Sequence, residues 1–239
     1  MGARHGPNLF IKIPGTKEGL PAIEEAIFAG IPINVTLLFS REQYLDAAEA
    51  FIRGIERRLE AGLNPSVSSV ASLFISRWDV AVMKTAPEDL RDQLGIAIAK
   101  RTHKAYRKLL GSPRWQKIYN AGARPQRLLW ASTGTKDPKA SDVLYIQALA
   151  APFTVNTIPE NTLKALAGHT SLGPALPVDG GDCEEVLAKF SRVGIDIDAL
   201  AAWLQDEGAK SFVESWNDLL ATISSKCTAL KGPALEAGG

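Results

Sequence analysis

Five short apolar runs alternate with stretches whose apolar residues recur at helical spacing, a pattern that predicts βα units around a parallel sheet. The first run is Asn8-Leu9-Phe10-Ile11-Lys12-Ile13-Pro14. Apolar residues on both sides of Lys12 and a closing Pro-Gly pair predict a buried parallel strand rather than an amphipathic edge strand. Leu20, Ile23 and Ile27 then share one helix face, and Gly30 stops that helix. A second strand is expected over 33–39. Ser40 and Gln43 follow as a capping-box pair, and Tyr44, Ala48, Phe51, Ile52, Ile55 and Leu59 lay a long helix on the sheet as far as Gly62.

The third strand, 70–75, runs straight into Ser76, Arg77 and Asp79. The fourth, 127–132, opens into Thr133-Gly134-Thr135-Lys136-Asp137-Pro138 and a helix over 142–148, and the fifth, 153–158, precedes a short helix over 160–166. Between the third and fourth strands lies a helical insertion, 80–124, and the chain closes with a helical tail, 181–226. In the tail Phe212, Trp216, Leu219, Leu220 and Ile223 form one stripe, read as packing rather than a cofactor box.

With 239 residues, 46% of them hydrophobic, the chain can bury a sizeable core as one large α/β domain or two small ones. Twenty-seven basic against 26 acidic residues give no overall reason for a nucleic-acid or membrane partner. Lys100, Arg101, Lys104, Arg107 and Lys108 cluster in the insertion, but Ile98, Ala105 and Leu109 among them mark one solvated face of a helix, with His103 expected at the surface. Cys183 and Cys227 lie far apart without metal-ligand spacing, so no disulfide framework is expected. Residues 1–7 carry no signal-peptide pattern, no stretch approaches a membrane span, and a cytoplasmic location is the expectation.

Lys12 carries the candidate chemistry. Burial disfavours an ammonium and can lower a lysine pKa by roughly three to five units in the deepest cases, which frees an amine to attack a carbonyl. An ordinary lysine reaching solvent or a carboxylate at the strand's end fits the same residues. The 133–138 loop, rich in hydroxyls with a glycine and a cation, suits an anionic group or equally a polar turn.

The segments together resemble transaldolase, in the longer bacterial form also found fused to glucose-6-phosphate isomerase. Asn8 to Pro14 is similar to that family's Schiff-base strand, and Asn34-Val35-Thr36-Leu37-Leu38-Phe39-Ser40 to its Asn-x-Thr-Leu-Leu-Phe-Ser motif. Leu129 to Lys136 resembles a later strand end, and Glu207 through Trp216 the long form's carboxy-terminal helix. The resemblance implies a (β/α)₈ TIM barrel that moves a dihydroxyacetone unit from fructose 6-phosphate or sedoheptulose 7-phosphate to an aldose phosphate, within the pentose phosphate pathway and without a cofactor. Lys12 would be the nucleophile, passing through a carbinolamine to an iminium ion whose electron sink permits carbon–carbon cleavage. Asn34 and Thr36 would hold the fragment and a catalytic water, and Ser72 and Arg77 would bind substrate, the arginine clamping phosphate. An ion pair with Asp79 or another carboxylate is the alternative for Arg77.

Two departures accompany the match. Gly134 stands where shorter members carry a second phosphate arginine, so Ser132 and Lys136, with Thr135, become the substitutes. The family also places three strands, bearing an aspartate, an asparagine and a glutamate, before its Schiff-base strand, and the seven residues before Asn8 cannot supply them. A complete barrel takes about 250 residues, and only five strands are legible here. The expectation is therefore a carboxy-terminal portion of the barrel, truncated at its amino end and prone to self-association. It would be either part of an enzyme, transaldolase or a related fructose-6-phosphate aldolase, or an inactive remnant that still binds sugar phosphates.

Overall fold

The structure is a computed structural model that describes residues 8–169 and 171–231. Five strands, β1 Ile11–Pro14, β2 Ile33–Leu38, β3 Ser69–Phe74, β4 Arg127–Ala131 and β5 Val155–Asn156, form one sheet in the order of the sequence. All four neighbouring pairs are parallel. Strands that advance one place per helical crossover build the wall of a (β/α) barrel. The expected class, α/β with part of a TIM barrel, is what the chain adopts.

The crossovers are α1 Gly19–Phe28, α2 Arg41–Glu60, then α3 Ser76–Val82, α4 Leu94–Leu110 and α5 Pro113–Asn120 between β3 and β4, and α6 Leu144–Ala148 before β5. After β5 come α7 Glu160–Leu166, α8 Cys183–Arg192 and α9 Ile197–Lys231. The capping box of α2 forms as the residues predict. Ser40 Oγ accepts from Gln43 N at 3.1 Å while Gln43 Oε1 accepts from Ser40 N at 3.2 Å and Phe39 N at 2.8 Å.

One sheet face lies under helices. Ile33, Val35, Ala71, Leu73, Leu128 and Trp130 on that face are buried. On the other face, Lys12 pairs with Asn34, Asn34 with Val70 and Val70 with Arg127, a row that is half-buried to exposed. Here the structure corrects the reading of the first run: β1 is an edge strand, Ile11 is 38% exposed and Lys12 is exposed. Apolar residues on both sides of a strand produce burial only when something covers both faces and both edges, and among the described residues β1 pairs with β2 alone.

β2 departs from simple alternation. Its register against β3 shifts between Val35 and Leu38, and Leu37 takes a left-handed backbone at φ 57°. The bulge lets Leu37, Leu38 and Phe39 all be buried, and Gln205 Nε2 donates to the Leu37 carbonyl at 2.9 Å and to that of Gly15 at 3.2 Å. β5 is shorter than expected because Phe153, at φ 64°, bends the chain before Val155.

His103 is not at the surface. It is buried beside the rings of Tyr106 and Trp130, at centroid distances of 6.2 and 6.4 Å. The basic residues around it do form a solvated face, with Lys100 and Arg101 paired to Asp182 and Glu184. His103 lies with Thr102 and Tyr106 on the buried side of α4, which a count of charges does not reveal.

The chain divides into two units, residues 1–205 and 206–239. In the second, the remainder of α9 is the one described element. Trp216 is 59% exposed and Leu219, Leu220 and Ile223 are exposed, so the packing expected of these four is not realised among the described residues of the unit.

Candidate active site

Residues two apart on a strand share a face, so Asn34 and Thr36 of β2 and Val70 and Ser72 of β3 look the same way as Lys12, which stands opposite Asn34 in register. Ser72 Oγ donates to Asn34 Oδ1 at 2.7 Å. That bond joins two of the expected site residues across the strand boundary and leaves the amide N–H groups of Asn34 to meet a ligand. Thr36, opposite Pro14, is buried, and its Oγ1 has no hydrogen-bond partner among the described residues. A buried hydroxyl left unsatisfied costs about 1–3 kcal/mol, an expense usually tolerated where the group serves a ligand.

The far end of β3 holds a second cluster. Ser76 and Ser132 hydroxyls lie 2.9 Å apart, and the backbone bonds Ile75 N to Ala131 O and Ser76 N to Ser132 O, each 3.0 Å, carry the pairing of β3 and β4 past the strands' ends. Ser132 sits at φ 56°, which ends β4 and turns the chain into its loop. The hydroxyl expected on phosphate is thus engaged with Ser76.

Arg77 is half-buried with its guanidinium 5.0 Å above the Phe74 ring. It makes no ion pair among the described residues. The alternative pairing with Asp79 fails because Asp79 is committed elsewhere. Its Oδ2 accepts from Tyr145 Oη at 2.8 Å and its Oδ1 from Leu94 N at 2.9 Å, with Gly95 N shared between the two oxygens. Asp79 therefore caps the amino end of α4 from another helix. A Cβ on Gly95 would come within 2.6 Å of the Ile75 carbonyl oxygen and 2.7 Å of Asp79 Oδ2, so only glycine allows this approach. Burial pushes the Asp79 carboxyl up to about 6, against the pull of Tyr145 and the two backbone donors.

The loop after β4 is built as a turn. Thr133 Oγ1 donates to Asn156 Oδ1 and Thr135 Oγ1 to the Ser141 carbonyl, both at 2.8 Å. Lys136 stands exposed on it. The structure thus brings Lys12, Asn34, Thr36 and Ser72 to one face of three adjacent strands, and Ser132 beside the segment that carries Arg77. Reading by motif missed Ser76, Tyr145 and Asn156. Ser76 and Asn156 each lie at a strand end, the one signal that pointed to them.

A model of the family described as Transaldolase/Fructose-6-phosphate aldolase matches residues 2–223. The chain is 45% identical over 226 residues to a transaldolase of Parafrankia sp. (strain EAN1pec), covering 91% of this chain and 61% of that protein. It is 44% identical over 229 residues to the transaldolase of Frankia alni, covering 92% and 62%, and 43% identical over 224 residues to that of Mycobacterium tuberculosis, covering 90% and 60%. The chain spans about three-fifths of the length of these curated relatives.

Proposed function

The chain belongs to the transaldolase/fructose-6-phosphate aldolase family, and from that premise we propose that it carries the Schiff-base strand and phosphate clamp of a transaldolase. It would correspond to the portion of the barrel from that strand onward. The observation that carries the reading is the register of Lys12 against Asn34, with Asn34 held by Ser72 and the unpartnered Thr36 hydroxyl on the same face. In this reading the Lys12 amine adds to the ketone of a ketose phosphate, and loss of water leaves an iminium. The iminium takes up the electron pair of the breaking carbon–carbon bond, the aldose phosphate departs, and the three-carbon enamine stays on Lys12 until a new aldose accepts it. Asn34 donates to a hydroxyl of the fragment, Thr36 holds a water for proton transfer, and Arg77 and Lys136 meet phosphate. Borohydride reduction of the chain with fructose 6-phosphate, followed by peptide mapping, should find the adduct on the peptide with Lys12. An adduct on another lysine overturns the assignment.

Exposure of Lys12 at the edge of the sheet favours a second reading for the chain by itself, sugar-phosphate binding without turnover, because a site open to water does not shield an iminium from hydrolysis. That reading expects calorimetric binding of fructose 6-phosphate with no trapped adduct. The exposed β1 edge also supports self-association, checked by sedimentation velocity.

If Arg77 clamps phosphate, Arg77→Ala removes charge-assisted bonds of about 1.5–3 kcal/mol, roughly ten- to a hundredfold in affinity. Fructose 6-phosphate should show that loss while fructose does not. Equal losses would make Arg77 structural.

A further inference from the structure

The neutral balance of the whole chain conceals one strongly cationic hollow. Between the start of α2 and the second half of α4 runs a groove of about 530 Å³ whose lining includes Arg41, Arg101, Lys104 and Lys108 together with Glu42 and, from α8, Glu184. Four cations and two carboxylates leave an excess of two positive charges in a chain whose total is +1. Both carboxylates are already taken: Glu42 pairs with Arg41 and Glu184 receives two bonds from Arg101. Lys104 and Lys108 are in no ion pair among the described residues.

The two lysines are one turn apart on α4, and Arg101 lies one turn before them, so the cationic row runs about 10 Å along the helix. Arg41 faces it from the opposite wall. The floor is apolar, made of Leu45, Ala105 and Leu109. Beneath that floor the buried rings of Tyr44 and Tyr106 meet edge to face at 6.3 Å, which fixes the spacing of the two helices and so the width of the groove.

We propose that this groove binds a small organic polyphosphate of the nucleoside polyphosphate class. Two ammonium groups in no ion pair among the described residues, on a wall where the arginines already offset the carboxylates, suit phosphate oxygens. The apolar floor suits a flat ring, and the volume lies within the range of small-molecule sites, about 300–1,000 Å³. The groove is on the helical side of the sheet, whereas Lys12, Asn34 and Ser72 are on the other face, so the two sites are separate. A long polyanion is disfavoured on a chain whose total charge is +1.

The test is calorimetric titration of the chain with ATP, free of divalent cations, at moderate salt. Saturable one-to-one binding is expected, weakened about tenfold or more when Lys104→Gln and Lys108→Gln together remove two charge-assisted contacts. Tripolyphosphate should bind more weakly than ATP, and adenosine should not bind. ATP should also protect Lys104 and Lys108, but not the exposed Lys164, from acetylation read by mass spectrometry, which needs no variant. Arg77→Ala should leave ATP binding intact, since loss there would mean that ATP occupies the proposed sugar-phosphate site. No saturable binding, unchanged affinity in the double variant, tripolyphosphate as tight as ATP, or loss on Arg77→Ala overturns the proposal.

Discussion

Lys12→Arg is expected to abolish the borohydride-trapped adduct with fructose 6-phosphate and to leave stability within about 0.5 kcal/mol of the parent. The first half follows from chemistry: a guanidinium stays protonated at any pH a protein survives and offers no free pair to a ketone. The second half follows from position. Lys12 is exposed on an edge strand, so the longer side chain displaces nothing in the core. Peptide mapping and urea unfolding of the two chains side by side read both effects. An adduct that survives in the variant removes Lys12 from the mechanism. A variant that unfolds would show that this lysine is part of the packing.

Asp79→Ala is expected to destabilise the chain by about 2–4 kcal/mol at pH 5, because it strands buried donors at Tyr145 Oη, Leu94 N and Gly95 N. The cost should shrink as pH rises. In the fold the Asp79 carboxyl is raised from its ordinary 3.8 to about 6, so the folded state holds the proton more tightly than the unfolded one. Stability from this group is therefore fully present below about pH 3.8 and lost as pH climbs through 6, a loss of roughly 3 kcal/mol. The alanine variant has no such loss, and the gap between the two chains should narrow from pH 5 to pH 8. His103 works in the opposite sense. Burial and the nearby Arg107 lower it from 6.5 to about 4, so its contribution is present above 6.5 and fades as pH falls toward 4. Since His103 is common to both chains, it drops out of their difference. Urea midpoints at several pH values give the difference directly, and a gap independent of pH would show that Asp79 is not the buried acid described here.

The alternation of runs predicted the five strands and the four helical crossovers between them, and the Ser40–Gln43 box predicted where α2 begins, because both depend on neighbours within a few residues along the chain. The two-residue period of β2 put Asn34 and Thr36 on one face for the same local reason. The bond between Asn34 and Ser72 was not legible, since it depends on how β2 and β3 pair across a 38-residue separation and the bulge between Val35 and Leu38 shifts that pairing within the site itself.

What the residues determined by themselves was the order of elements, the class of fold and, through motifs, a set of candidate site residues. Exposure was decided only in three dimensions. Lys12 sits in a run that reads as buried yet lies at a sheet edge, while His103 sits in a run that reads as solvated yet lies against Trp130. Burial is a property of what lies on the far side of a residue, and that neighbour is supplied by another part of the chain or by none. The same reason hid the Asp79–Tyr145 bond, whose partners are 66 residues apart, and the cationic groove, whose two walls belong to helices on either side of β3.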